Sequence, residues 1–178
     1  MAKHKTIDEA VEELFKDYKK ALKVAAKEAT EKAKEDLYKN AVSCLVLYYN
    51  DYIPSSYERT HQLINSFVKY SNPIKETKDG FECIAGVIFD ANKIDDAYDG
   101  SELYTPTDGQ WIIDNFLAGI HPKTNGSRVV GGGNYENEKY YGDFVPSYEM
   151  QKYLDSYRYI FYNHLDFSLS KQVLKLTK

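Results

Sequence analysis

The chain has 178 residues, of which 43% are hydrophobic and 28% are charged, and its formal net charge is -4. These values exclude a disordered chain and predict that residues 1–178 form a single domain with a buried core. The mild acidity disfavours a nucleic-acid-binding protein, because such proteins need a basic face. No apolar run approaches the ~18 residues that span a bilayer, and residues 1–8 do not read as a signal peptide. We therefore expect no membrane association.

The first predicted element is a long helix over about residues 7–49. Thr6 and Glu9 have the spacing of a capping box at its start. Because residues 27–36 are almost wholly charged residues and alanine, we expect only the second half to pack on the core, so that residues 1–35 project or pack on another chain. Two helices with a break near Thr30 are the alternative. The apolar positions that recur at helical spacing are Ile7, Val11, Leu14, Tyr18, Ala21, Ala25, Ala29, Leu37, Ala41, Cys44 or Leu45, and Tyr48.

Strands are predicted after this helix. Pro54 ends the helix, because the residue before a proline is disfavoured in the α region. Residues 63–71 alternate between apolar and polar side chains and are expected to form one strand. Residues 74–77 and 81–89 flank Asp79 and Gly80, which is the pattern of a hairpin. The side chains expected on the core face of its second strand are Phe81, Cys83, Ala85, Val87 and Phe89.

The last third combines helices with a long loop. Thr107 and Gln110 form a second capping box before an aromatic helix, and Gly119 with Pro122 ends that helix. Residues 123–145 are glycine-rich and are expected to form a flexible loop or hairpin. A C-terminal helix begins near Ser147, and residues 170–178 continue as helix or strand. The fold class is therefore α+β, with a small, mostly antiparallel sheet, a long N-terminal helix, a short middle helix and a C-terminal helix.

The sequence offers no catalytic, cofactor or metal site, so we expect a protein that is not an enzyme. The acidic residues 90–102 depart from a calcium-binding loop at the glycine and glutamate positions, which leaves a casual surface calcium site as the lesser alternative. Asp108 and Asp114 flank Trp111, yet nothing else marks a hydrolase site. The four histidines share no ligand spacing; they are His4, His61, His121 and His164.

Cysteine and tyrosine carry the remaining signals. Cys44 and Cys83 each lie among apolar neighbours, so we expect two buried, unpaired thiols in a reducing cytoplasm. There are 17 tyrosines, eight of them in the last third of the chain. Tyrosine suits surfaces that are wet before assembly and buried after it, and a tyrosine-rich edge of the core is an equal alternative.

The stretch "YYNDYIPSSYERTHQL" resembles a signature of the tail-completion, head–tail connector proteins of long-tailed bacteriophages. In that family a long helix ends in tyrosines, and a proline turn and an Arg-Thr pair lead into the first strand. His61 stands where the family usually has glycine. "WIIDNFLAGIHP", residues 111–122, resembles a second family feature, in which Pro122 replaces a glycine. The matching junction residues are Tyr48, Tyr49, Tyr52, Pro54, Tyr57, Arg59, Thr60 and Leu63.

The chemistry of the junction residues also favours a structural role. The tyrosines can pack the end of the helix on the sheet while their hydroxyls stay at its edge. Arg59 can bond the carbonyls at the end of the helix, and Thr60 can bond the backbone of the turn. These are scaffold contacts, which suit a structural subunit better than an active site.

The resemblance implies a structural subunit of a virion, made in the bacterial host cytoplasm. It implies a homo-oligomeric ring in the neck or at the tail end, a hexamer rather than a dodecamer, with other virion proteins as partners. Tyr135, Tyr140 and Tyr141 are the candidate interface residues. Two rivals remain: a nucleic-acid-binding protein that stacks bases on tyrosines without reading sequence, and a small carbohydrate-binding or hydrolase domain.

Overall fold

The computed structural model describes residues 6–51, 62–78, 80–94, 109–122, 139–141 and 143–176. Its helices are α1 (Ile7–Asp51), α2 (Gly109–Ala118) and α3 (Pro146–Leu176). Its strands are β1 (Phe67–Ser71), β2 (Lys75–Thr77), β3 (Gly80–Glu82), β4 (Ala85–Phe89), β5 (Ile120–Pro122) and β6 (Lys139–Tyr141). Within the described residues the strands pair two by two, β1 with β4, β2 with β3 and β5 with β6. The α+β prediction, with its long, short and C-terminal helices, is confirmed.

The chain divides into two compact units. The first unit comprises Met1–Glu35, Tyr70–Gly86 and Ser156–Lys178. The second unit comprises Asp36–Lys69 and Val87–Asp155. The expectation that residues 1–178 form a single domain stays a prediction.

Helix α1 begins at the predicted capping box. The Thr6 N–H donates to the Glu9 carboxylate at 2.9 Å, and the Glu9 N–H donates to the Thr6 hydroxyl at 3.2 Å. The two bonds satisfy backbone donors that have no partner inside the helix. They explain why the helix begins at Ile7.

The helix continues without a break to Asp51. The alternative of two helices separated near Thr30 is therefore wrong. Thr30 is 3% exposed, and its hydroxyl donates to the Ala26 carbonyl at 2.7 Å. A threonine whose hydroxyl bonds the preceding turn fits inside a helix without leaving a buried polar group unsatisfied.

In the first unit, an alanine stripe of α1 is buried, and neighbouring residues of the same helix contact α3. Glu28 accepts a hydrogen bond from Gln172 at 3.0 Å, and the Lys32 ammonium lies 5.1 Å from the centre of the Phe167 ring. Small side chains let two helices approach closely. The buried alanines, 0–6% exposed, are Ala21, Ala25, Ala26, Ala29 and Ala33. Coverage of α1 thus begins at residue 21, within the segment 1–35 that was expected to project.

The β2–β3 hairpin follows the prediction for residues 74–82, with Thr77 paired to Gly80. Its Glu76 carboxylate bonds Lys23 at 2.8 Å and Lys19 at 3.4 Å. These lysines hold the pKa of Glu76 below its ordinary value, the hydrogen bond from Lys23 being the largest cause. The Glu76 side chain is exposed, so the pairs are a surface feature.

The strand predicted over residues 63–71 begins later than expected. Residues Gln62–Ser66 form a 3₁₀ turn in which the Ser66 hydroxyl donates to the Leu63 carbonyl at 2.7 Å, and β1 begins at Phe67. Serine competes for local backbone partners, which favours a turn over a strand ladder. Leu63 is buried as expected, at 4% exposed.

The long second strand predicted over residues 81–89 is two strands. β3 pairs with β2, whereas β4 pairs with β1 after a break at Cys83 and Ile84. The Asp90 N–H donates to the Ser66 carbonyl at 2.8 Å and the Asn72 N–H donates to the Ile84 carbonyl at 3.0 Å. The chain changes pairing partner at the break, so one alternating face does not run through it.

Residues 123–145 contain a strand that the sequence did not reveal. β6, Lys139–Tyr141, pairs antiparallel with β5, which lies before the predicted loop or hairpin. The rest of the predicted flexible loop, apart from residues 143–145, lies outside the described residues. α3 begins at Pro146 and continues to Leu176, so the segment left open as helix or strand is helical as far as it is described.

Gly119 ends α2, as the sequence predicts, and it does so in the left-handed conformation, with φ 68°. Its N–H donates to the Phe116 carbonyl at 3.0 Å. A Cβ at this position would also collide with the backbone carbonyl of Phe144. Glycine is thus required for two independent reasons.

Gly119→Ala is expected to lower the free energy of unfolding by at least about 2 kcal/mol, because left-handed strain and a backbone collision add. Gly86→Ala is the control, since no atom lies within 4 Å of a Cβ built there. Urea denaturation of both variants is the measurement. Equal stability of the two variants would contradict this role of Gly119.

Candidate functional site

The candidate site is the junction at the end of α1, in the second unit. Tyr48 and Tyr49 lie in the last turns of α1, and Leu63 lies in the 3₁₀ turn that precedes β1. The structure describes these three of the predicted junction residues. The other five lie outside the described residues; they are Tyr52, Pro54, Tyr57, Arg59 and Thr60.

Tyr48 joins the end of α1 to the end of α2. Its side chain is 6% exposed, and its ring meets Phe116 edge to face with centroids 5.3 Å apart. Its hydroxyl donates to the Ile120 carbonyl at 2.6 Å. The ring packs in the core, while the hydroxyl satisfies a backbone acceptor just after α2. A buried tyrosine is expected to make both kinds of contact.

Around Tyr48, aromatic rings from three elements form the core. Phe67 of β1 packs edge to face on Phe89 of β4 at 5.0 Å, and Phe116 lies 5.8 Å from Phe67 and 6.1 Å from Phe89. Phe116 is fully buried. Leu63 belongs to the same cluster. The expectation that the junction packs a helix end against strands therefore fits the described residues, with α2 as a third partner.

The candidate interface tyrosines are only partly described. Tyr135 lies outside the described residues. In β6, Tyr140 pairs with His121 and Tyr141 pairs with Ile120 through the backbone. The Ile120 carbonyl that accepts from Tyr48 belongs to the strand beside them. Sequence reasoning missed this strand pair, and the only signal was a short run of β-favouring residues after a glycine-rich stretch.

Asn115 of α2 is a buried polar residue that sequence reasoning did not identify. It is 6% exposed, and its side-chain Nδ2 has no hydrogen-bond partner among the residues that the structure describes. Exposed Asp114 beside it accepts from Gln110 at 2.8 Å. Asp108 lies outside the described residues, so the carboxylate pair of the hydrolase alternative stays a prediction.

The two thiols differ in burial. Cys44 is 3% exposed and unpaired, as expected. Burial raises its pKa above the ordinary value, and the carboxylate of Glu149 adds to the effect. Cys83 is also unpaired but only half-buried, because the break between β3 and β4 removes it from the predicted core face. The expectation of two buried thiols is correct for one.

Within the described ranges, no group of three histidine, cysteine or acidic side chains is arranged to hold a metal ion. Asp90, at the start of the acidic stretch, accepts from the Asn92 N–H at 3.1 Å and so caps the turn Ala91–Lys93. Residues 95–102, on which the calcium alternative also depended, lie outside the described residues. Among the described helices, none is long and apolar enough to cross a membrane.

Comparisons of the chain with protein-family models, with curated proteins and with solved structures found no match.

Tyr48→Phe is expected to lower the free energy of unfolding by about 1–2 kcal/mol, because it keeps the ring but leaves the Ile120 carbonyl without this donor. Tyr159→Phe is the matched control, since Tyr159 is 75% exposed. Thermal and urea unfolding measure both changes. A Tyr48→Phe protein as stable as Tyr159→Phe would show that the bond contributes nothing.

Alkylation should separate the two thiols. In Cys83→Ser protein, the remaining Cys44 is expected to react with iodoacetamide at pH 8 at least about tenfold more slowly than Cys83 does in Cys44→Ser protein. Burial limits access to Cys44 and keeps it protonated. Mass spectrometry of timed samples gives both rates, and urea should abolish the difference. Equal rates in the folded proteins would contradict the burial of Cys44.

Proposed function

We propose that this chain is a structural subunit of a bacteriophage virion, a ring-forming head–tail connector or tail-completion protein at the neck. The ring is a homo-oligomer, six copies rather than twelve, and its partners are other virion proteins. It assembles without catalysis or a cofactor. The subunit is made in the host cytoplasm and resides in the virion.

One observation carries the proposal. Two separate stretches of sequence resemble the connector family, residues 48–63 and residues 111–122, and their side chains meet in the second unit. Tyr48 from the first stretch contacts Phe116 and bonds the Ile120 carbonyl of the second. Leu63 lies in the same core cluster as Phe116. The described residues of the two motifs thus pack in one core, and on this proposal their role is structural.

Exposed tyrosines are consistent with assembly. In the first unit, α3 presents Tyr159 and Tyr162, which are 75% and 49% exposed. Arg158 lies over the Tyr162 ring at 5.8 Å. Tyrosine and arginine are enriched where protein surfaces meet, because they combine apolar area with hydrogen bonding. Ring subunits commonly join two different patches of the same chain, so one tyrosine-rich surface suffices on each copy.

The isolated chain is expected to be monomeric at low micromolar concentration and to form closed rings only with a neighbouring virion protein. Like charge on each copy opposes association, and a template raises the effective concentration of the subunits. Mass photometry would follow the chain alone and after co-expression with the proteins encoded by adjacent genes. The ring should appear at six times the 20.5 kDa chain mass.

A stable dimer that gives no larger species with any adjacent gene product would contradict the ring. A mass of twelve copies would retain the ring and overturn the preferred copy number. Binding of single-stranded DNA that weakens steeply with salt would favour the tyrosine-stacking alternative instead.

A further inference from the structure

The β2–β3 hairpin meets α1 through one carboxylate. Glu76 of β2 accepts a hydrogen bond from Lys23 at 2.8 Å and pairs with Lys19 at 3.4 Å. The two lysines are four residues apart, about one helical turn, so they lie on the same side of α1 and both reach the carboxylate. All three residues belong to the first unit. We call these two contacts the Glu76 ion pairs.

The register of the hairpin shows which side chains lie on the same face as Glu76. Glu76 pairs with Phe81, and the side chains of paired residues share one face. Alternation along the chain adds Ile74 and Cys83, which adjoin the two strands. These three neighbours of Glu76 are half-buried, and we call them the inner face of the hairpin. The residues that alternate with them are exposed; they are Lys75, Thr77 and Glu82.

The hairpin needs contacts outside itself to stay folded. Its strands have three residues each, and an isolated two-stranded hairpin is at best marginally stable in water. The ion pairs that join it to α1 are exposed: the side chains of Lys19, Lys23 and Glu76 are 61%, 50% and 48% exposed. Exposed ion pairs are weak, and salt screens them. A hairpin held in this way separates from the helix at a low cost in free energy, and that cost falls as the ionic strength rises.

We propose that the β2–β3 hairpin is a conformational switch, which the Glu76 ion pairs hold against α1 and which undocks when they are broken. Undocking uncovers the inner face, which consists of two apolar side chains and the Cys83 thiol. Ionic strength therefore controls whether the chain presents this surface. The inference rests on contacts within the first unit. It does not depend on the ring, and either proposal can fail alone.

Alkylation of Cys83 in the full chain measures undocking. Timed labelling with iodoacetamide, followed by mass spectrometry of the peptide that carries each thiol, reports Cys83 and Cys44 in the same sample. Cys44 is buried in the second unit and should stay slow in every variant, which shows that the chain remains folded. At about 20 mM salt, Glu76→Gln should raise the Cys83 rate about threefold or more. The unaltered chain should approach the same rate at about 0.5 M salt, because screening weakens the ion pairs.

The lysine variants separate undocking from a direct effect of charge on the thiol. Removing a negative charge near a thiol favours the thiolate and speeds alkylation, whereas removing a positive charge slows it. Undocking instead predicts that Lys19→Gln combined with Lys23→Gln also speeds the labelling of Cys83, by about threefold. In Glu76→Gln protein the same two lysine changes should have no further effect, because the ion pairs are already absent.

Lys20→Gln is the matched control. Lys20 lies between the two lysines in sequence, but it pairs with Asp17 of its own helix at 3.2 Å. Its removal should leave the Cys83 rate unchanged. Hydrogen exchange over residues 72–84 gives a second measure that does not involve the thiol, and it should be faster in the same variants that label faster.

Several outcomes would overturn the proposal. One is a Cys83 rate that Glu76→Gln leaves unchanged, and another is a rate that the combined lysine changes lower. A third is an effect of Lys20→Gln as large as that of the combined changes at Lys19 and Lys23. A rate in the unaltered chain that is the same at low and high salt would show that the ion pairs do not hold the hairpin.

Discussion

A helix of 45 residues has to be covered along its side, because most helical stability in a protein comes from tertiary packing. The rest of the fold follows from how α1 meets this requirement. In the first unit α1 carries a stripe of buried alanines, and α3 contacts the helix beside them at Glu28 and Lys32. In the second unit Ala41, Cys44, Leu45 and Tyr48 enter an aromatic core. Along residues 7–18, the large apolar side chains remain 43–83% exposed.

The two covered stretches use different chemistry. Alanines allow a close approach between two helices but bury little area per residue, so that contact must be long. The aromatic core buries more area in fewer residues. Its contacts are directional, so they also fix where the helix end lies. Edge-to-face rings and the bond from Tyr48 to the Ile120 carbonyl hold the end of α1 to the end of α2. Gly119 allows the chain to turn there, where a side chain would meet the Phe144 backbone.

The sequence predicted those features that depend on local chemistry. The capping box at Thr6 and Glu9, the helical period of α1, the β2–β3 hairpin and the stop at Gly119 each depend on residues close in sequence. The failures depend on long-range pairing. Alternation in residues 63–71 could not separate a 3₁₀ turn from a strand, and the alternation of residues 81–89 did not reveal a change of partner at Cys83. The hydroxyl of Tyr48 was expected at the edge of the sheet, yet its acceptor, Ile120, lies 72 residues away in sequence.

Hydrogen exchange along α1, followed by mass spectrometry of the free chain, tests most directly the claim that coverage divides this helix. Amides open at a free energy set by the packing around them, so uncovered turns exchange first. The account predicts fast exchange in residues 7–18 and slow exchange in residues 21–51, with the boundary near Ala21. Equal protection along the whole of α1 would show that its first turns are held in the free chain, which would contradict the division of coverage along this helix.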